Sequence, residues 1–231
     1  MWPSGKAPVF GTGMRRFESS HPNHIFIKMK YTLFLASNSA SRKLLLEQAH
    51  IPFKIISQNA DESLCDLNRD LSIVVRELAQ LKMHHAMLPQ GKQEGDIIFV
   101  LTADTLTKDQ YNTLHGKPSD RRDAIRILKL CRAGTMIGTA FCLQKLCWKE
   151  NEWHLMQTIT EYEQAWCIMD VPDAFLDFYL DRIPFLTISG AIDIAGIGDQ
   201  FLKEIKGSYS AALGLPMFKV RESLYKLGFY E

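Results

Sequence analysis

The run IIFVLTAD, from Ile97 to Asp104, constrains the fold more than any other stretch of the chain. A short continuous apolar run of this kind is what a strand carries when both faces of its sheet are covered. Thr102 and Asp104, which end the run, are then expected at the C-terminal edge of a central strand. That is where open α/β sheets place their ligand sites.

The flanking segments supply the layers such a strand needs. Tyr31–Ala36 reads as a buried strand, Lys43–Gln48 as the start of a helix and Pro52–Ile56 as a second strand. Ser72–Leu88 has helical spacing, with Val75, Leu78, Ala79 and Ala86 toward the core. A helix is expected after Pro118 through DRRDAIRILKLC. Thr135–Leu146 and Leu155–Met169, rich in β-branched and aromatic residues, read as long paired strands. The helix VPDAFLDFYLDR, a glycine-punctuated loop and a last helix over Met217–Leu227 complete the chain. Strands alternating with helices around a hairpin-like middle predict a single α/β domain over residues 29–231, with a mixed sheet. At 231 residues and 46% hydrophobic content the chain buries a core of that size.

Composition narrows the function. The formal charge is +1, so an anion site has to be local, and a basic nucleic-acid-binding face is not expected. No run reaches the ~18 apolar residues of a membrane span. The five cysteines, Cys65, Cys131, Cys142, Cys147 and Cys167, form no CxxC pair, which points to a reduced, cytoplasmic protein without a zinc site.

Four constellations carry chemistry. In LFLASNSASRKLLLEQ, Ser37, Ser39 and Ser41 with Arg42 sit between a strand and a helix. There they either cap the helix or, with the outward backbone N–H groups, hold a phosphate. TADT places Asp104 and Thr105 after the apolar run, a carboxylate suited to a divalent cation or to a proton from water; alternatively it is a turn or cap residue. Lys117 in HGKP is either a phosphate-reaching group or an ordinary surface lysine. NADES holds the acids Asp61 and Glu62, and Lys82 lies on the long helix beside His84 and His85. These histidines are adjacent and so do not face one ligand as an i, i+4 pair does. Gly196 and Gly198 form GxG without the remainder of a dinucleotide fingerprint.

In this order the motifs are more specific than any one of them. From about Met29 onward the chain resembles the Maf family of nucleoside triphosphate pyrophosphatases. ASNSASRKLLL is similar to that family's ASxSPRRxxLL, NADES to its acidic element and RELAQLK to its lysine-bearing helix. TADT with GKP is similar to its central motif, and GSYSAALGLP to its closing GSYxNVxGLP.

The resemblance implies an α/β fold of the Maf and inosine-triphosphate-pyrophosphatase kind: a mixed twisted sheet flanked by helices, with a nucleotide cleft. It implies hydrolysis of a nucleoside triphosphate to monophosphate and pyrophosphate, a house-cleaning role and a divalent metal, Mg²⁺ or Mn²⁺. Asp104, Glu62 and Lys82 would be catalytic, Asp104 and Glu62 also holding the metal. Ser37, Ser39, Arg42, Lys117 and Thr105 would bind substrate. A homodimer is compatible with it.

Three departures fall where the family reads the base. Ala40, Ser41 and Arg42 replace Pro-Arg-Arg, Ala195 stands where GIQG has glutamine, and Ala211 replaces asparagine. Ser41, Thr105 and Ala195 are therefore the expected specificity positions, and Thr105 matches members acting on dTTP and UTP. The competing expectation is a diverged, non-catalytic nucleotide-binding paralogue acting through partners in cell-division control.

Residues 1–28 are rich in Gly, Pro and Ser and show no sustained period, so they are expected to be a disordered or non-native extension. RRFESSHPN resembles a translated 3′ arm of a bacterial tRNA gene, and the native start is expected at Met29. Mass spectrometry of the endogenous protein should find no peptide from these 28 residues; recovering one would overturn that start.

Overall fold

The computed structural model describes residues 30–230, so the expected extension and the start at Met29 lie outside the described residues. Its strands are β1 (Thr32–Leu35), β2 (Phe53–Ile55), β3 (Ile97–Lys108), β4 (Leu114–His115), β5 (Thr135–Lys149), β6 (Glu152–Met169) and β7 (Leu202–Gly207). The helices are α1 (Ala40–Gln48), α2 (Leu71–His84), α3 (Arg121–Cys131), α4 (Leu176–Leu180), α5 (Tyr209–Ala212) and α6 (Met217–Lys226). The strands form one mixed sheet in the order β2-β1-β3-β5-β6-β7, with β4 also on β3. β1 lies parallel to β2 and β3, and the other pairs are antiparallel.

Alternation along the strands decides what covers each face. Ile98 and Val100 of β3, with Ala140 and Cys142 of β5, pack under α2 against Leu71, Val75 and Leu78. The odd-numbered residues face the other way. Phe99, Leu101, Phe141 and Leu143 meet Leu45 and Leu46 of α1 and Val220 and Leu224 of α6. Further along, Ile137 meets α3 and α4 through Ile127, Leu128 and Leu176. This second face is thus covered by two groups of helices, and a seam runs between them.

The sheet is also interrupted at one place. β1 pairs with β3 as far as Leu101, whose carbonyl accepts from Ala36 N at 2.9 Å, and β4 takes over only at Thr107. Residues 102–106 of β3 therefore have β5 on one side and no strand on the other. The Leu101 carbonyl points toward β1, so two-residue periodicity turns the backbone groups of Ala103 and Thr105 toward the same open edge.

Four differences from the sequence reading have local causes. β3 does not end at Asp104 but continues to Lys108, because its antiparallel partner β5 extends to pair with it as far as Met136. α2 stops at His84, and Ala86 leaves the helix to bridge Gln58. VPDAFLDFYLDR divides into a 3-10 turn, Asp173–Phe175, and the short α4. Asp173 is drawn to Lys129 and Arg132, at 2.9 and 2.5 Å. β7 and α5 come out of the stretch read as loop. β7 is an edge strand with no fully buried residue, so it carries little apolar periodicity to be seen.

Among the described residues no helix is long and apolar enough to cross a membrane. All five cysteines are free thiols, and burial pushes Cys131 up to about 11 and Cys167 up to about 12.

Gly138 of β5 lets the first turn of α2 lie close on the sheet. A Cβ there would stand 2.8 Å from Leu71 Cδ2 and 2.9 Å from a ring carbon of Tyr162. Gly138→Ala should cost about 1–3 kcal/mol through overpacking. Thermal melting would register this as a lower midpoint, and an unchanged midpoint would mean that α2 yields freely at this contact.

Candidate active site

The polar loop after β1 does both things its sequence allows. Ser39 is the N-cap of α1, its hydroxyl accepting from Arg42 N at 3.5 Å. Arg42 is no surface residue but is buried, and it ties three segments together. Its Nε donates to Gly214 O at 2.8 Å, Nη1 to Ser37 Oγ at 3.0 Å and Nη2 to Thr105 Oγ1 at 3.1 Å. Gly214 presents that carbonyl from a turn with φ of +110°, which glycine adopts without strain. The chain of hydroxyls continues from Thr105 to Thr139 at 2.8 Å and from Thr139 to Ala211 O at 2.7 Å. Three of the five guanidinium N–H donors are engaged in this way, leaving two. Burial lowers the affinity of Arg42 for its proton, and the charges of Asp104 and Glu62 oppose that.

A second cluster forms on the opposite face of β3. Side chains on a helix lean back toward its N-terminus, and Lys82 near the end of α2 reaches the strand in this way. Its Nζ meets Asp104 Oδ1 and, at 3.0 Å, Glu62 Oε1. Lys82 and Asp104 are both buried, while Glu62, on the 3-10 turn Glu62–Leu64, is open to solvent. Thr102 fixes the register of helix on strand by donating to Ala79 O at 2.7 Å. Burial pushes the Asp104 carboxyl up, against the pull of Lys82 and Arg42. Asp104 Oδ2 has no hydrogen-bond partner among the described residues.

Neighbouring strand residues point to opposite faces, so Asp104 and Thr105 carry the two clusters to either side of one strand. The clusters meet around the open edge at residues 102–106. A cleft enters along the seam on the Thr105 side, lined by Ser39, Ser41, Arg42, Thr105 and Ile137 together with Ser189, Ile192, Asp193 and Ile194.

The structure thus brings together Asp104, Glu62 and Lys82, and separately Ser37, Ser39, Arg42 and Thr105 beside Ser41. Lys117 stands exposed on the adjoining turn, which is held by Gly190 N donating to Gly116 O at 2.8 Å. Ala195 does not line the cleft; its N–H donates to Asp193 Oδ1 at 3.1 Å. Asp193 itself is on the wall. Sequence reasoning missed Thr139, Gly214 and Asp193. The antiparallel pairing of β3 with β5 places Thr139 opposite Thr105, and the sequence carries no mark of that register. His84 and His85 are exposed, and no group of three or more His, Cys, Asp or Glu side chains converges as a metal site among the described residues.

Lysine cannot reproduce the fork of Arg42. Arg42→Lys should lower stability by about 2 kcal/mol or more, given buried bonds to a charged group. In urea this appears as a lower midpoint with an unchanged slope. A wild-type midpoint would show that the three segments hold together without the fork.

Comparison with known sequences agrees with the arrangement. The Maf-like protein family model matches residues 32–227. A dTTP/UTP pyrophosphatase of Hydrogenovibrio crunogenus is 28% identical over 211 residues, covering 87% of this chain and 99% of that protein. A dTTP/UTP pyrophosphatase of Ruminiclostridium cellulolyticum is 31% identical over 196 residues, covering 84% and 95%. A nucleoside triphosphate pyrophosphatase of Maricaulis maris is 31% identical over 199 residues, covering 79% and 90%. With both charge clusters, the cleft and a match over nearly the whole described chain, the protein belongs to the Maf-like protein family.

Proposed function

We propose that this chain is a nucleoside triphosphate pyrophosphatase that attacks the α-phosphorus with water and releases a nucleoside monophosphate and pyrophosphate. The observation that carries this reading is Asp104, a buried carboxylate with one oxygen on Lys82 and the other without a partner among the described residues, on the stretch of β3 that has one bare flank. That free oxygen orients a water and takes its proton as the new P–O bond forms and the bond from the α-phosphorus to the bridging oxygen breaks. The electron pair leaves with pyrophosphate.

Charge develops on the phosphoryl oxygens and on the leaving group, so fixed cations lower the barrier. Lys82 and the two remaining N–H donors of Arg42 act there, with Ser37 and Ser39 at the loop and Lys117 at the rim. Ser41 and Thr105, which line the cleft, would lie toward the base.

Asp104 and Glu62 fit a hard divalent cation, Mg²⁺ or Mn²⁺. Such ions are held by one or two carboxylates together with substrate phosphates, and the two residues supply oxygen donors only. When bound, the ion would supply Lewis-acid neutralisation of the phosphate charge. A protein that only binds nucleotide has no use for a proton acceptor buried against a lysine, so the non-catalytic alternative finds no support. The reading places the protein in the cytoplasm as a scavenger of surplus or noncanonical nucleotides. dTTP and UTP are the first nucleotides to try, because relatives carry those names.

The test is pyrophosphate release by protein starting at Met29, with Mg²⁺ or Mn²⁺, across ordinary and modified triphosphates. One monophosphate should appear per pyrophosphate; silence from folded protein would sink the proposal. Asp104→Asn should cut turnover by at least ~10²-fold. Glu62 still pairs with Lys82 at 3.0 Å, so folding should survive the change. The direction of the Asp104 shift is checked without metal: burial raises its pKa, so in the metal-free protein the carboxyl should take up its proton as pH falls through a value above the ordinary ~4, read by titration.

A further inference from the structure

Asp193 sits on the wall of the cleft that Arg42 also lines. Its backbone is held firmly. Tyr179 Oη accepts from Asp193 N at 2.8 Å and donates to Ala191 O at 2.9 Å, and the flanking Ile192 and Ile194 are buried. Gly198 lies so close that a Cβ on it would stand 1.6 Å from Asp193 O. The side chain is half-buried, with Oδ1 accepting from Ala195 N at 3.1 Å. Oδ2 has no partner among the described residues but is open to solvent, and no cationic side chain pairs with the carboxylate. Burial pushes its carboxyl up. A half-buried carboxylate held by a firmly tied backbone on the cleft wall, with no cation paired to it, is an acceptor available to a donor on a ligand.

With phosphates at Ser37, Ser39 and Arg42, a base extending along the cleft would meet the wall that carries Asp193. An ionised carboxylate offers acceptors only. The uracil or thymine edge sets a carbonyl oxygen on each side of its single N–H, so it brings acceptors against Asp193. Cytosine, adenine and guanine each present an amino group.

We propose that Asp193 is a specificity-determining residue that selects nucleotides whose base carries an exocyclic amino group and disfavours uracil and thymine. This rests on the pyrophosphatase reading and sets the base preference of this chain apart from the names its relatives carry. It also moves base reading from Ala195, which is off the cleft, to a position two residues earlier. Sites built on an acceptor discriminate strongly because the wrong edge leaves that acceptor unsatisfied or opposed.

The test compares kcat/KM for CTP, ATP, GTP, UTP and dTTP in the wild type and in Asp193→Asn, by pyrophosphate release. Asparagine retains an acceptor for Ala195 N, so a merely structural role would survive it. Its amide also donates, which matches the paired donor and acceptor of a uracil edge. The wild type should favour at least one amino-bearing base over UTP and dTTP. In Asp193→Asn that ratio should fall at least about tenfold, with UTP gaining in absolute terms. Asp193→Ser, with a short acceptor and no charge, should lower the ratio too and stands in if the amide melts early. A ratio unchanged in both variants, or a wild type that prefers UTP or dTTP, overturns the assignment while leaving the hydrolase intact. Absence of release from every nucleotide fails the hydrolase reading itself and removes the basis of this one.

Discussion

An aspartate does not sit inside a protein as an ion unless a cation meets it, and in this molecule the cation is Lys82. Removing the lysine of such a buried pair leaves an uncompensated charge, which typically costs about 3–5 kcal/mol. The requirement reaches outward. Lys82 must come from a helix whose C-terminal end lies over β3, so α2 has to pack in one register, and Thr102 fixes that register through the carbonyl of Ala79. The tight contact at Gly138 keeps the other end of the helix on the sheet. Arg42 answers the same demand from the opposite face, buried and spread over Ser37, Thr105 and Gly214.

These two charges would remain separate if β3 were paired along its whole length. They are not separate because β1 stops at Leu35 and β4 does not begin until Thr107 has been reached. The stretch between lacks a neighbouring strand, so groups on both faces can act at one place. β5 keeps the strand straight and in register from its other side. A rigid strand with one bare flank holds an acid on one face and a hydroxyl on the other without relying on a flexible loop.

Much of this was legible in the sequence, for identifiable reasons. The apolar run from Ile97 gave away a central strand because burial on both faces removes alternation. The order of short motifs pointed to the reaction class, since each motif brings one charged group to a strand or helix end. What could not be read was tertiary. Lys82 looks like any helical lysine until the strand beneath it is known to carry Asp104. The extent of β3 depended on how far β5 would follow it, and β7 is too exposed to show a period. Resemblance pointed to Ala195 as a specificity position, while no motif marked Asp193, which the local turn brings to the cleft lining.

The segment from Ser189 to Ala195 is anchored through main-chain groups: the N–H of Gly190, the carbonyl of Ala191 and the N–H of Asp193. The side chains at positions 193 and 195 take no part in holding the buried lysine, arginine or aspartate. Exchange of those side chains therefore leaves the charged machinery as it was. A segment hung from its own main chain can vary in side chain while its path through space stays fixed.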